Sequence, residues 1–135
     1  MLNVYSEVDP EVILFTTIKK QDITNNRINL TPSNQYMQAA AKKTKFGDYF
    51  KPHKHLPCNK EALITQESWV ILNGSAVGTF YDLDDKVIKK VLLDDGDCVI
   101  IYNGGHSLEI LEDDTILYEF KTGPYYGPDK DKVFI

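Results

Sequence analysis

Residues 47–74 read GDYFKPHKHLPCNKEALITQESWVILNG, and residues 96–106 answer them with GDCVIIYNGGH. All three histidines of the chain lie in these two stretches, as His53, His55 and His106. On a strand, positions i and i+2 point to the same face, so His53 and His55 converge there while Lys54 points away. Imidazole is a good ligand for divalent iron, nickel, copper and zinc, and two on one face make half a site. Glu67 opens the apolar run Trp69-Val70-Ile71-Leu72, where an acid is costly unless its charge is paired or bound to a metal. Glu67 is therefore the candidate third ligand, with Glu61 as its rival. His106 is the fourth, carried on a strand that returns from the far side of the sheet.

The spacing of these residues resembles the motifs of the cupin superfamily. Gly47, five residues, His53-x-His55 and then Glu67, six residues, Gly74 is similar to the first motif. Gly96, five residues, Tyr102-x-Gly104 and then His106 is similar to the second. The chain departs from the pattern in two places. Eleven residues separate His55 from Glu67, a longer gap than the family's usual one, so a loop is inserted at the site. In the second motif Tyr102 replaces a proline, His106 comes one residue early, and Ile110 stands where an asparagine is usual. The resemblance implies an all-β fold, an antiparallel double-sheet jelly roll. It also implies one divalent metal ion (iron, manganese, nickel or zinc) held by His53, His55, Glu67 and His106. The C-terminal KTGPYYGPDKDKVFI is similar to that of small single-domain cupins encoded beside surface-polysaccharide genes, which implies a sugar or sugar nucleotide as the ligand.

Length and composition bound the answer. At 135 residues the chain is long enough for a single domain that buries roughly two thirds of its unfolded surface. With 42% hydrophobic and 26% charged residues it is ordinary for a soluble globular protein. A net charge of -5 argues against nucleic acid, which favours a basic face. No apolar run is long enough to span a bilayer. The start, MLNVYSEVDPEVILF, is acidic and lacks the basic segment and cleavage site of a signal peptide, so a cytoplasmic location is expected. Two cysteines, Cys58 and Cys98, are too few for a disulfide framework and are expected to be loop or buried thiols.

Residues 1–35 carry short apolar runs, Val12-Ile13-Leu14-Phe15 and Ile28-x-Leu30, divided by polar turns. They are expected to form edge strands or an arm that pairs with a second subunit, giving a homodimer. Residues 36–122 form the expected jelly-roll core and 123–135 a tail. Residues 35–45, QYMQAAAKKTK, favour helix by propensity, but a cupin needs a strand just before Gly47, and the strand is the expectation. From Glu67 onward, turn signals mark strands at 67–72, 76–83, 86–93, 97–102, 106–111 and 115–121. Asn73-Gly74 is a strong hairpin signal.

Alternation turns Trp69 and Ile71 to the same side as Glu67, and Leu108 and Ile110 to the same side as His106. Trp69, Tyr102, Tyr118 and Glu119 are the candidate substrate contacts. Residues 56–66 are anchored at the metal ligands at both ends and are expected either to act as a lid or to pack over the barrel mouth. The function expected from the resemblance is metal-dependent isomerisation or epimerisation of a sugar or sugar nucleotide. Oxygen chemistry on iron, or a module that binds its ligand without turning it over, are the alternatives. A further alternative is a ketoisomerase that uses a histidine base without metal.

Overall fold

The computed structural model describes residues 1–135. Ten strands form an antiparallel, all-β arrangement: β1 (Leu2–Tyr5), β2 (Ile13–Ile18), β3 (Ile28–Asn29), β4 (Ala40–Ala41), β5 (Glu67–Asn73), β6 (Ser75–Tyr81), β7 (Val87–Asp94), β8 (Cys98–Ile101), β9 (His106–Ile110) and β10 (Ile116–Lys121). A five-stranded sheet runs β1-β2-β8-β5-β10, and a three-stranded sheet runs β7-β6-β9. The single α-helix, α1 (Pro128–Asp131), is one turn long. No helix is long and apolar enough to cross a membrane.

The core lies between the two sheets. Phe15, Trp69, Ile71, Val99 and Ile101 come from the five-stranded sheet, and Ala76, Phe80 and Leu93 from the three-stranded one. Period-two alternation explains the choice: in β6, Ala76 and Phe80 are buried while Val77 and Thr79 between them are partly exposed. Phe15 and Phe80 stack across the gap with ring centroids 3.9 Å apart. A second, smaller cluster coats the outer face of the large sheet. There Ile13, Ile18, Ile100 and Tyr102 pack with Leu30, beneath Met37, Ala39 and Ala41.

Several expectations change on this frame. Strand β2 is not an edge: it lies between β1 and β8, and all six of its residues are buried. Its unbroken run of apolar and threonine side chains suits a strand covered on both faces. Asn73-Gly74 does not close a hairpin, because β5 and β6 belong to different sheets. Gly74, at φ +84°, carries the chain from one sheet to the other, and a Cβ there would collide with Thr115. Between residues 35 and 45 no helix forms, and the only strand is the short β4, paired with β3. Residues 42–66 contain no strand or helix, and residues 42–64 are exposed throughout.

Both sheets end on one side in an edge strand, β9 in the smaller and β10 in the larger. The side chains that matter for function gather between these two edges.

Candidate functional site

Strand register builds the site. Glu67 on β5 lies opposite Lys121 on β10, and Trp69 lies opposite Glu119. These four residues therefore share the inner face of the large sheet. On the facing sheet His106 lies opposite Phe80, whose ring is in the core, so His106 also faces inward. The Glu67 carboxylate is where the two sheets meet. Its Oε2 is 3.0 Å from Lys121 Nζ and 3.6 Å from His106 Nε2. Its Oε1 accepts a 2.6 Å hydrogen bond from Trp69 Nε1. The Trp69 ring meets His106 edge-on, with centroids 5.3 Å apart.

The burial of these groups is graded. The Glu67 side chain is 8% exposed, whereas His106 is 30% exposed and Lys121 24%. The acid is thus held inside while the imidazole and the ammonium reach solvent. Burial pushes the Glu67 carboxyl up, but His106, Lys121 and the indole N–H together outweigh it and hold the group down at about 2. Burial pulls Lys121 down, yet its bonds to Glu67 and Glu119 win and raise it. Glu119 Oε1 lies 3.3 Å and Asp131 Oδ2 4.0 Å from the same ammonium.

The C-terminal segment borders the cluster. Asp131 accepts a 2.6 Å hydrogen bond from Thr65 Oγ1, tying α1 to the end of the loop that precedes Glu67. Between them lies an open cleft of about 190 Å³, lined in part by Leu63, Thr65, Tyr126 and Lys130. A larger notch at Lys19, Lys20, Asp94, Asp95 and Asp97 shares no residue with the cluster. Ion pairs join its own lysines and aspartates.

Of the expected metal ligands, Glu67 and His106 are brought together. His53 and His55 are not beside them: they lie in the strandless stretch, exposed, with their rings 5.4 Å apart and His53 Nδ1 2.9 Å from the Lys51 carbonyl. Glu61 is exposed in the same stretch. No three His, Cys, Asp or Glu side chains are grouped closely enough to hold a metal ion. The donor set implied by the cupin resemblance is therefore split into two pairs.

Among the candidate substrate contacts, Trp69 forms the floor of the cluster and Glu119 stands beside Lys121. Tyr102 is fully buried in the outer cluster, where its hydroxyl donates to Thr16 Oγ1 at 3.2 Å. Tyr118 alternates with Glu119 and so falls on the opposite, outer face, exposed. Cys98 is also on the outer side, beside Ser68, and burial pushes its thiol up. Cys58 is exposed in the strandless stretch. Lys121 is the residue that the sequence reading missed. Its signal was period two from Glu119, but its meaning depends on the β5–β10 register. In comparison with known proteins the chain matches no family model, no curated protein and no solved structure.

Proposed function

We propose that the protein is a cupin-type jelly roll acting on a small polar metabolite, a sugar or sugar nucleotide, by moving a proton beside a carbonyl, as in isomerisation or epimerisation. The observation that carries this reading is the His106–Glu67 pair at the edge between the sheets. A buried carboxylate beside Nε2 favours the tautomer with its proton on Nε2 and leaves Nδ1 as the basic nitrogen. An imidazole oriented in this way can act as a general base. The cupin-like spacing around Glu67 and His106 supports the same class of fold and ligand.

A second reading keeps the metal. His53 and His55 are side by side, and β9 has a free edge next to His106. An extended segment added to that edge could bring a second donor pair toward the first. Metal analysis of the purified protein separates the two readings. One equivalent of a divalent ion, lost on replacing His53 and His55, selects the second. Conversion of a sugar nucleotide or sugar phosphate that persists after chelation selects the first. If no member of such a panel is bound or converted, both readings fail.

A homodimer is part of the proposal, built partly from residues 1–35, whose β1 is an edge strand, and partly from the outer face of the edge strand β10. Ile116, Tyr118 and Phe120 form an exposed apolar row there, more than half accessible at each position. A monomeric mass by light scattering at micromolar concentration would contradict it.

A further inference from the structure

We propose that residues 128–135 are a hinged cover over the Glu67–His106 site, latched to both sheets, and that its lifting opens the site. The inference rests on the reading of Glu67 and His106 as the site, and on no particular reaction there. Its basis is where the two latches lie. Asp131 sits on the side of the large sheet: its Oδ1 accepts the 2.6 Å hydrogen bond from Thr65 Oγ1, and its Oδ2 is 4.0 Å from Lys121 Nζ. Ile135 sits on the side of the small sheet, against Gly105, where a Cβ would stand 2.5 Å from Ile135 Cδ1. Gly105 is fixed to β6, its carbonyl accepting a 2.8 Å bond from the Tyr81 N–H, and it immediately precedes His106. The chain from 131 to 135 therefore runs from beside Lys121 to beside His106, the two residues that flank Glu67 Oε2. Lys132 leaves α1 extended, at φ −149° and ψ 158°. Four extended residues reach about 13 Å and packed sheets lie about 10 Å apart, so this length suffices to cross from β10 to β9.

The latches are light, which is what lets the cover move. Apart from the bond at Asp131 and the turn bond from the Lys132 N–H to the Pro128 carbonyl, no hydrogen bond holds residues 131–135. Val133 and Phe134, between the two latches, are exposed. A segment with so few buried contacts and backbone hydrogen bonds opens without unfolding the rest. Gly127 supplies the hinge: it stands just before α1 at φ +100°, with nothing within 4 Å of where a Cβ would be. The floor beneath is rigid by comparison. Glu67 and Trp69 are buried in β5, which is paired on both sides, by β8 and β10. Lifting the cover thus changes access to His106 and Lys121 while the carboxylate between them stays in place.

The test uses the full chain and needs no substrate. Diethyl pyrocarbonate modification of each histidine is followed by mass spectrometry, and iodoacetamide labelling of the half-buried Cys98 reports on the rest of the fold. Asp131→Ala and Ile135→Ser each remove one latch. Each is expected to speed modification of His106 by at least about threefold, with the double variant at least as fast as either. His53 and His55, already exposed, and Cys98, on the outer side of β8, are expected to keep their wild-type rates within about 1.5-fold. Ile135→Ser alters no charge, so its effect does not come from a change in the protonation of the imidazole. Unchanged His106 rates in both variants overturn the cover. A rise in only one variant breaks the two-point latch and overturns it as well. A rise at His106 matched by a rise at Cys98 means that the whole sheet has loosened, and overturns it too. No sugar enters the measurement, so a failure of the proton-transfer reading on sugars leaves the cover standing.

Discussion

Replacing Phe80 by alanine is expected to cost about 3–5 kcal/mol of stability, the range for removing a buried aromatic ring. Phe80 is 1% exposed, stacks on Phe15 at 3.9 Å, and stands near Trp69 with centroids 6.3 Å apart. It is the side chain through which β6 of the small sheet grips β2 and β5 of the large one. Its loss would leave a cavity between sheets whose hydrogen bonds run within each layer and not across the gap. For a domain with a total stability of about 5–15 kcal/mol, that is a large share. His106 lies opposite Phe80 in the β6–β9 ladder, so the cavity would also loosen the base of the site. The control is Lys89→Ala. Lys89 is exposed on β7, and its removal is expected to change stability by no more than about 0.5 kcal/mol. Chemical denaturation of both variants checks the pair. Equal costs would mean that the sandwich is not held together through Phe80.

Glu67→Gln is expected to affect both stability and chemistry. The Glu67 carboxyl is held at about 2 in the folded protein, against 4.5 as the ordinary value. The folded pKa is the lower of the two, so the unfolded chain binds more protons between these values, and stability rises with pH across that window. The contribution is fully present above about pH 5, is lost progressively as pH falls toward 2, and amounts to at most about 3 kcal/mol. Other acids, including Asp22, Asp82 and Asp84, are also held low and give their own acid slope. The difference between wild type and Glu67→Gln isolates the Glu67 part: the two curves should be fully separated above about pH 5 and close on each other only as pH falls to about 2. At neutral pH the variant also leaves Lys121 and His106 without their shared partner. Any proton transfer at His106 is expected to slow by about 10²-fold or more. Curves that stay parallel from pH 2 to 7 would show that Glu67 is not held ionised by its neighbours.

The parts of this arrangement visible in the sequence are those written locally. The strands after Glu67 were placed to within two residues, because Asp84-Asp85, Asp94-Asp95-Gly96 and Asn103-Gly104-Gly105 are local breaks. Alternation put Trp69 and Ile71 on the face of Glu67, and Leu108 on the face of His106, for the same reason. What stayed hidden depends on pairing across the chain. Asn73-Gly74 carries a hairpin signal, yet each neighbour strand finds better partners in a different sheet. Ile13–Ile18 reads as a short apolar run, and only its partners on both sides make it an interior strand. Tyr102 and Tyr118 fell outside the cluster because strand phase, not aromatic character, decides which face a side chain joins. Lys121 becomes meaningful only once β10 is set against β5 with Lys121 opposite Glu67. The His53-x-His55 spacing was legible as a ligand pair, but on a segment without strand structure the rule that would aim it does not apply.

The central claim is that His106, oriented by Glu67, moves a proton on a small carbonyl-bearing sugar. The most direct measurement is deuterium incorporation beside the carbonyl of keto-sugar phosphates and nucleoside-diphosphate keto-sugars, followed by NMR in D2O with chelator present. Incorporation by the wild type that falls at least about 10²-fold in His106→Gln, while His53→Gln and His55→Gln retain it, is the predicted result. Incorporation that survives in His106→Gln, or that disappears with the chelator and in His53→Gln and His55→Gln, would contradict it.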